Sequence, residues 1–152
     1  MSTLNPLFEI YPDAPVATMP LGVRAADLVY AGGLSGTDPV TGAPTGDLAA
    51  QTETALKHLA ALVEGAGGST DNVGRAVAFV TKAEDRMAVY DPWDAMFPDA
   101  NDRPAFKVLV ADLPPGHLVR IDGLAILGAR RMRGEIPGVP ARAKDGKPVD
   151  AD

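Results

Sequence analysis

The stretch DLAAQTETALKHLAALVEGAGG, residues 47–68, constrains the fold more than any other. Leu48, Thr52, Ala55, Leu59, Leu62, Val63 and Ala66 recur at three- and four-residue spacing, which predicts an amphipathic helix. Asp47 stands at the N-cap position, and Gly67-Gly68 stops the helix. At about 1.5 Å per residue it runs roughly 30 Å. A helix of that length with one apolar face needs a second layer to bury it.

That layer is written on both sides of it. DLVYAGG (27–33) is a short apolar run ending in a glycine pair, read as a strand that closes in a bend or a close backbone approach. GLSGTDPVTGAPTG follows as a loop and lacks the Gly-Lys-Ser/Thr ending of a phosphate cradle. GRAVAFVT (74–81) predicts a strand. DPWDAMF (91–97) opens a second helix, with Asp91 as its cap and Pro92 at the first position, where a missing N–H costs nothing. Strands over 105–111 and 117–127 are joined by LPPG, which suits a hairpin turn. The order strand, helix, strand, helix, strand, strand predicts an α+β domain with both helices on one face of a mixed sheet.

The other face of such a sheet has nothing from its own chain to cover it. In RPAFKVLV (103–110), alternation sends Phe106, Val108 and Val110 toward the helices. Arg103, Ala105, Lys107 and Leu109 go to the uncovered side, so two cations flank a small residue. A partly apolar open face is commonly buried by another subunit. An obligate oligomer is therefore expected, with residues 105, 107 and 109 near a subunit boundary.

Composition excludes several classes. The chain of 152 residues is one domain's worth. It has no cysteine, so no disulfide or thiolate chemistry. Its two histidines, His58 and His117, are read as a helix-surface and a turn residue, and no spacing suggests a metal site. A net charge of −6 argues against nucleic acid. Neither a signal peptide nor a membrane-spanning run is present, so a cytoplasmic protein is expected. Residues 1–14 read as an N-terminal extension. Residues 130–152, with three Gly and three Pro and no periodicity, read as a flexible tail.

The ordered words RAADLVYAGG, TDPVTG, GDLAAQTETALKHLAALVEGAGGSTDNV, AVAFVTKAEDRMAVYDPWDAMF and LPPGHLVRIDGLAI resemble the Rid family, the YjgF-type enamine/imine deaminases. The resemblance spans about residues 19–127. It implies a homotrimer whose sheets form a barrel, with clefts between subunits. It also implies cofactor-free hydrolysis of small, anionic imines or enamines to keto acids and ammonia. By the same resemblance the family's water-orienting acid falls on Asp122, and its backbone contacts on Gly32 and Gly33. Met19 and Tyr90 fall on other cleft positions. The carboxylate-binding arginine of the family falls on Ala105, and a usually small position falls on Lys107. The expected site is therefore Asp122 and Lys107 as catalytic groups, with Gly33, Gly32, Met19, Tyr90, Arg103 and Ala105 around the substrate. Lys107, or failing it Arg103, replaces the missing guanidinium. A divergent deaminase is the first expectation, an unsaturated amino acid from ring catabolism being one example of its substrate. A non-enzymatic binding trimer and a tautomerase using Asp122 alone are the alternatives.

Overall fold

The computed structural model describes residues 21–132. The 1–14 extension, Met19 and the 133–152 part of the tail lie outside the described residues. The elements are β1 (Gly22–Ala25), β2 (Leu28–Ser35), α1 (Leu48–Gly65), β3 (Val73–Val80), α2 (Tyr90–Met96), β4 (Ala105–Val110) and β5 (Val119–Ile126). The five strands form one sheet in the order β1-β2-β5-β3-β4. β3 and β4 run parallel, and the other neighbouring pairs are antiparallel. Both helices pack on one side of this mixed sheet, the α+β arrangement expected from the sequence.

Helix α1 forms as its pattern dictates. Asp47 accepts a hydrogen bond from the Ala50 N–H at 2.9 Å. Leu56, Leu59, Leu62 and Val63 are buried against Val29, Leu34, Ala76, Ala78 and Ile121 of the sheet. His58 departs from expectation. It is only 8% exposed, and its Nδ1 lies 3.1 Å from the Ser35 carbonyl oxygen. His58 stands three residues after Ala55 and four before Leu62, so it shares their face.

Burial of His58 holds its pKa below the usual 6.5, and the Ser35 hydrogen bond opposes this only in part. The unfolded chain thus binds the proton more readily than the folded one. Stability rises with pH across the window between the two pKa values. The contribution is full above about 6.5 and is lost as pH falls below it. Urea midpoints measured at about pH 7.5 and pH 5.5 should therefore fall toward the acid side, and by less in His58→Gln.

Gln51 is the other buried polar group that orders this side. Its Nε2 donates to the carbonyls of Gly46 (3.2 Å) and Gly116 (3.1 Å), and its Oε1 accepts from the Leu118 N–H at 2.9 Å. One side chain thereby ties α1 to the loop before it and to the entry of β5. Gln51→Leu takes the partner from those part-buried backbone groups and should cost about 1–2 kcal/mol in a denaturant titration.

Two local expectations are corrected. LPPG does not make a hairpin between β4 and β5, because β3 lies between those strands. The turn closes on itself, His117 N–H to the Pro114 oxygen at 3.0 Å, and carries the chain past β3. Asp91 does not cap α2. A 3-10 segment, Ala83–Val89, runs directly into the helix, and Asp91 sits in its first turn. Arg131 is anchored to the domain. It donates to the carbonyls of Thr70 and Val73, pairs with Asp102 at 3.1 Å and lies over the Phe97 ring.

Helix α2 brings Trp93 to the sheet. Trp93 is buried and stacks on Phe106 with ring centroids 3.8 Å apart, and Phe106 also meets Tyr90 edge-on at 5.6 Å. Phe106 and Val108 thus face the helices, as alternation predicts.

Candidate active site

The register of the sheet lays out the uncovered face as three rows. Tyr30, Leu124, Arg75 and Ala105 form the first. Asp122, Val77 and Lys107 form the second, ending at the Gly32-Gly33 position of β2. Ser35, Arg120, Phe79 and Leu109 form the third. All point away from α1, because their chain neighbours Ala76, Ala78, Ile121 and Val108 are buried beneath the helices.

The second row is where backbone and side chain meet. β2 shifts register between Ala31 and Leu34, so two glycines stand against one residue of β5. Gly33 has φ +73°, a left-handed conformation that glycine adopts without strain. The bulge leaves the Gly33 N–H out of the ladder, and it donates instead to Asp122 Oδ1 at 2.6 Å. One carboxylate oxygen is fixed by this bond. The half-buried Asp122 is left with its second oxygen for a ligand or a water.

Around it is an open hollow of about 480 Å³, lined by Tyr30, Gly32, Arg75, Val77, Asp122 and Leu124 among others. A larger one, about 600 Å³, lies between α1 and α2. Its charged groups include Glu53 and Lys57, which pair with each other at 2.7 Å on the surface. No acid there is held against a free backbone N–H, so the sheet-face hollow is the better site despite its smaller volume.

The expected residues fall unevenly. Asp122, Gly32 and Gly33 converge. Lys107 lies in the row of Asp122 but two strands away, about 10 Å at ~4.8 Å per strand. It has no ion pair with Asp122. Ala105 is exposed on the same face. Arg103 is not there. The ladder begins at Ala105, so strand alternation does not extend back to Arg103. Its guanidinium pairs with Asp94 of α2 at 2.9 Å and donates to the carbonyl of Phe97, the residue that caps that helix, at 2.7 Å. Tyr90 also sits on the helix side of this chain, against Phe106.

Two further cations stand on this face. Arg75 is exposed and lines the hollow. Arg120 is half-buried beside Gly33, and its Nε has no hydrogen-bond partner among the described residues. The alternation in GRAVAFVT already puts Arg75, Val77 and Phe79 on one side. What it cannot give is the strand that lies next to them. Among the described residues no three His, Asp or Glu side chains converge as a metal site. Among the described residues no helix is long and apolar enough to cross a membrane.

Two helices on one side of a mixed five-stranded sheet, with the polar chemistry on the other, define the class of α+β proteins built like YjgF. RidA from a Psychrobacter species superposes with a TM-score of 0.71 at 27% identity, over 84% of this chain and all of that one. The YjgF gene product of Escherichia coli gives 0.69 at 29% identity, over 79% of this chain and 95% of that one. The profile described as Endoribonuclease L-PSP matches residues 12–127. A protein of Salmonella typhimurium named 2-iminobutanoate/2-iminopropanoate deaminase is 32% identical over 118 residues, 75% of this chain and 92% of that one. The chain belongs to this family, the Rid or YjgF-type proteins.

Proposed function

We propose that this protein is a cofactor-independent hydrolase that deaminates a small anionic imine or enamine. Its site is the hollow around Asp122, completed at the boundary between subunits of a cytoplasmic homotrimer. The observation that carries the reading is the Asp122 carboxylate held at 2.6 Å by the Gly33 N–H, on an open face. The deaminase names of relatives about 30% identical support the reaction class. Exposed Tyr30, Leu109 and Ile126 on the same sheet support burial of its rim by a second copy.

The reaction follows from that geometry. With one oxygen fixed by Gly33, the other oxygen of Asp122 takes a proton from water as the water attacks the imine carbon. The C=N bond becomes a C–N single bond, giving a carbinolamine. Asp122 gives that proton to the nitrogen, which completes the carbinolamine, then takes the hydroxyl proton and passes it to the same nitrogen as the C–N bond breaks, so that ammonia leaves as the carbonyl forms. Imine and water become keto acid and ammonia, with no redox change. An enamine enters after protonation at its terminal carbon. Gly32 lets the substrate approach the backbone closely, and Lys107 adds positive potential at the far end of the row. Ala105 keeps the face open, and Tyr90 shapes the cleft where a neighbouring subunit closes it.

The test is ammonia release from freshly generated 2-iminopropionate and 2-iminobutanoate. Turnover by the wild type that disappears in Asp122→Ala is the expected result. A trimer that binds keto acid yet releases no ammonia from any imine would make it a binding protein instead.

A further inference from the structure

We propose that Arg75 binds the substrate's carboxylate, from the strand beside the one where the family resemblance places that function. The nature of the substrate rests on the deaminase reading. The choice of residue rests on the sheet register, the lining of the hollow and the unpaired guanidinium.

Arg75 is the direct Cα partner of Ala105 in the parallel β3–β4 pair, and of Leu124 on β5. Adjacent strands lie about 4.8 Å apart, so its stem leaves the sheet one strand's width from Ala105. Val77 faces Asp122, which makes Arg75 the diagonal neighbour of Asp122, about 7–8 Å away. Both residues line one hollow with Gly32 of β2. A 2-imino acid carries its carboxylate one bond from the carbon that water attacks. Acid and cation must therefore stand on two sides of one small molecule, and a diagonal pair on a sheet does so.

The guanidinium of Arg75 is also available. Arg24 donates to the carbonyls of Ala26 and Ala66, Arg103 is bound to Asp94, and Arg131 to Asp102. Arg75 has no hydrogen bond or ion pair among the described residues and is exposed. Lys107 does not line the hollow, and its ammonium is a point charge, whereas Arg75 offers a planar fork matched to a carboxylate. Ala105 is part of the same arrangement. A second arginine at 105 would project beside Arg75 on one face, and the two charges would repel. The small residue and the neighbouring arginine form an exchanged pair.

The exchange gives the experiment. Pyruvate, a 2-oxo acid that the reaction does not consume, is titrated into the full-length protein by calorimetry. Arg75→Ala should raise its Kd about tenfold or more, as loss of a charge-assisted pair does. Arg75→Lys, which keeps charge and stem, should give an intermediate Kd, and Lys107→Ala a smaller loss than Arg75→Ala. The double variant Arg75→Ala/Ala105→Arg should recover much of the affinity, which a merely structural role for Arg75 would not allow. An unchanged Kd in Arg75→Ala, a larger loss in Lys107→Ala, or no pyruvate binding by the wild type overturns the assignment. Pyruvate held through Arg75 by a protein that releases no ammonia would leave this site standing and remove the deaminase reading. Turnover that depends on Asp122 but not on Arg75 would do the reverse.

Discussion

Asp122→Ala is expected to lower kcat for 2-iminopropionate by about 10²–10⁴-fold, the range in which a positioned acid–base group contributes. The loss should fall on kcat more than on KM, because the carboxylate handles protons in the transition state and substrate charge is held elsewhere. Asp122→Asn separates two roles. Its side-chain oxygen still accepts from the Gly33 N–H, so the bulge keeps its partner, yet it takes no proton from water. Asparagine should therefore be as inactive as alanine while unfolding nearer the wild-type midpoint. Asp122→Glu should keep measurable turnover because the proton acceptor is only displaced. Ammonia release under single-turnover conditions reads all three. An asparagine variant with wild-type kcat would remove Asp122 from the chemistry.

The second large effect lies at Gly36, just past the end of β2. A Cβ there would fall on the backbone carbonyl oxygen and Cα of Gln51 in α1. Backbone cannot rotate away as a side-chain tip can. The Gly36 carbonyl is also fixed, accepting from the Thr45 N–H at 2.8 Å and the Thr45 hydroxyl at 3.0 Å. To admit a methyl group, the end of β2 and α1 must separate, and the Gln51 hydrogen bonds are disturbed with them. Overpacking commonly costs about 1–3 kcal/mol, and a clash with helix backbone belongs at or above the top of that range. Gly36→Ala should therefore lose about 3 kcal/mol in a urea titration. Turnover should fall as well, since β2 carries the Gly33 that holds Asp122. An unchanged midpoint would show that α1 sits farther from β2 than described.

Features governed by local pattern were legible in the sequence. Asp47 and the apolar periodicity define α1, and the alternation in RPAFKVLV correctly sends Phe106 and Val108 to the helices. The run into α2 was not legible, because Ala83–Val89 is a largely exposed 3-10 segment with no apolar period. Pairing of β5 between β2 and β3 was not legible either. LPPG is turn chemistry, and turn chemistry does not say which strand comes next. His58 was misread by residue type although its spacing matches the buried face. The acid and the glycine bulge came through resemblance. The cation did not, because the proximity of Arg75 to Ala105 exists only across a parallel pair that lies thirty residues apart in the chain. Arg103 was drawn onto the open face by extending alternation past the first residue of its strand.

The central position of β5 bears on how the molecule is made. A ribosome delivers β1 to β4 before residues 119–126 are available, and until then β2 and β3 each present an unsatisfied edge. Completing the sheet means threading the last strand between two that already exist, a non-local step of the kind that slows folding. Asp122 arrives on that strand, so the hollow gains its acid only when the sheet closes. A nascent chain stalled before residue 119 would be inert and prone to edge-to-edge association, and one that finishes acquires stability and chemistry in the same event.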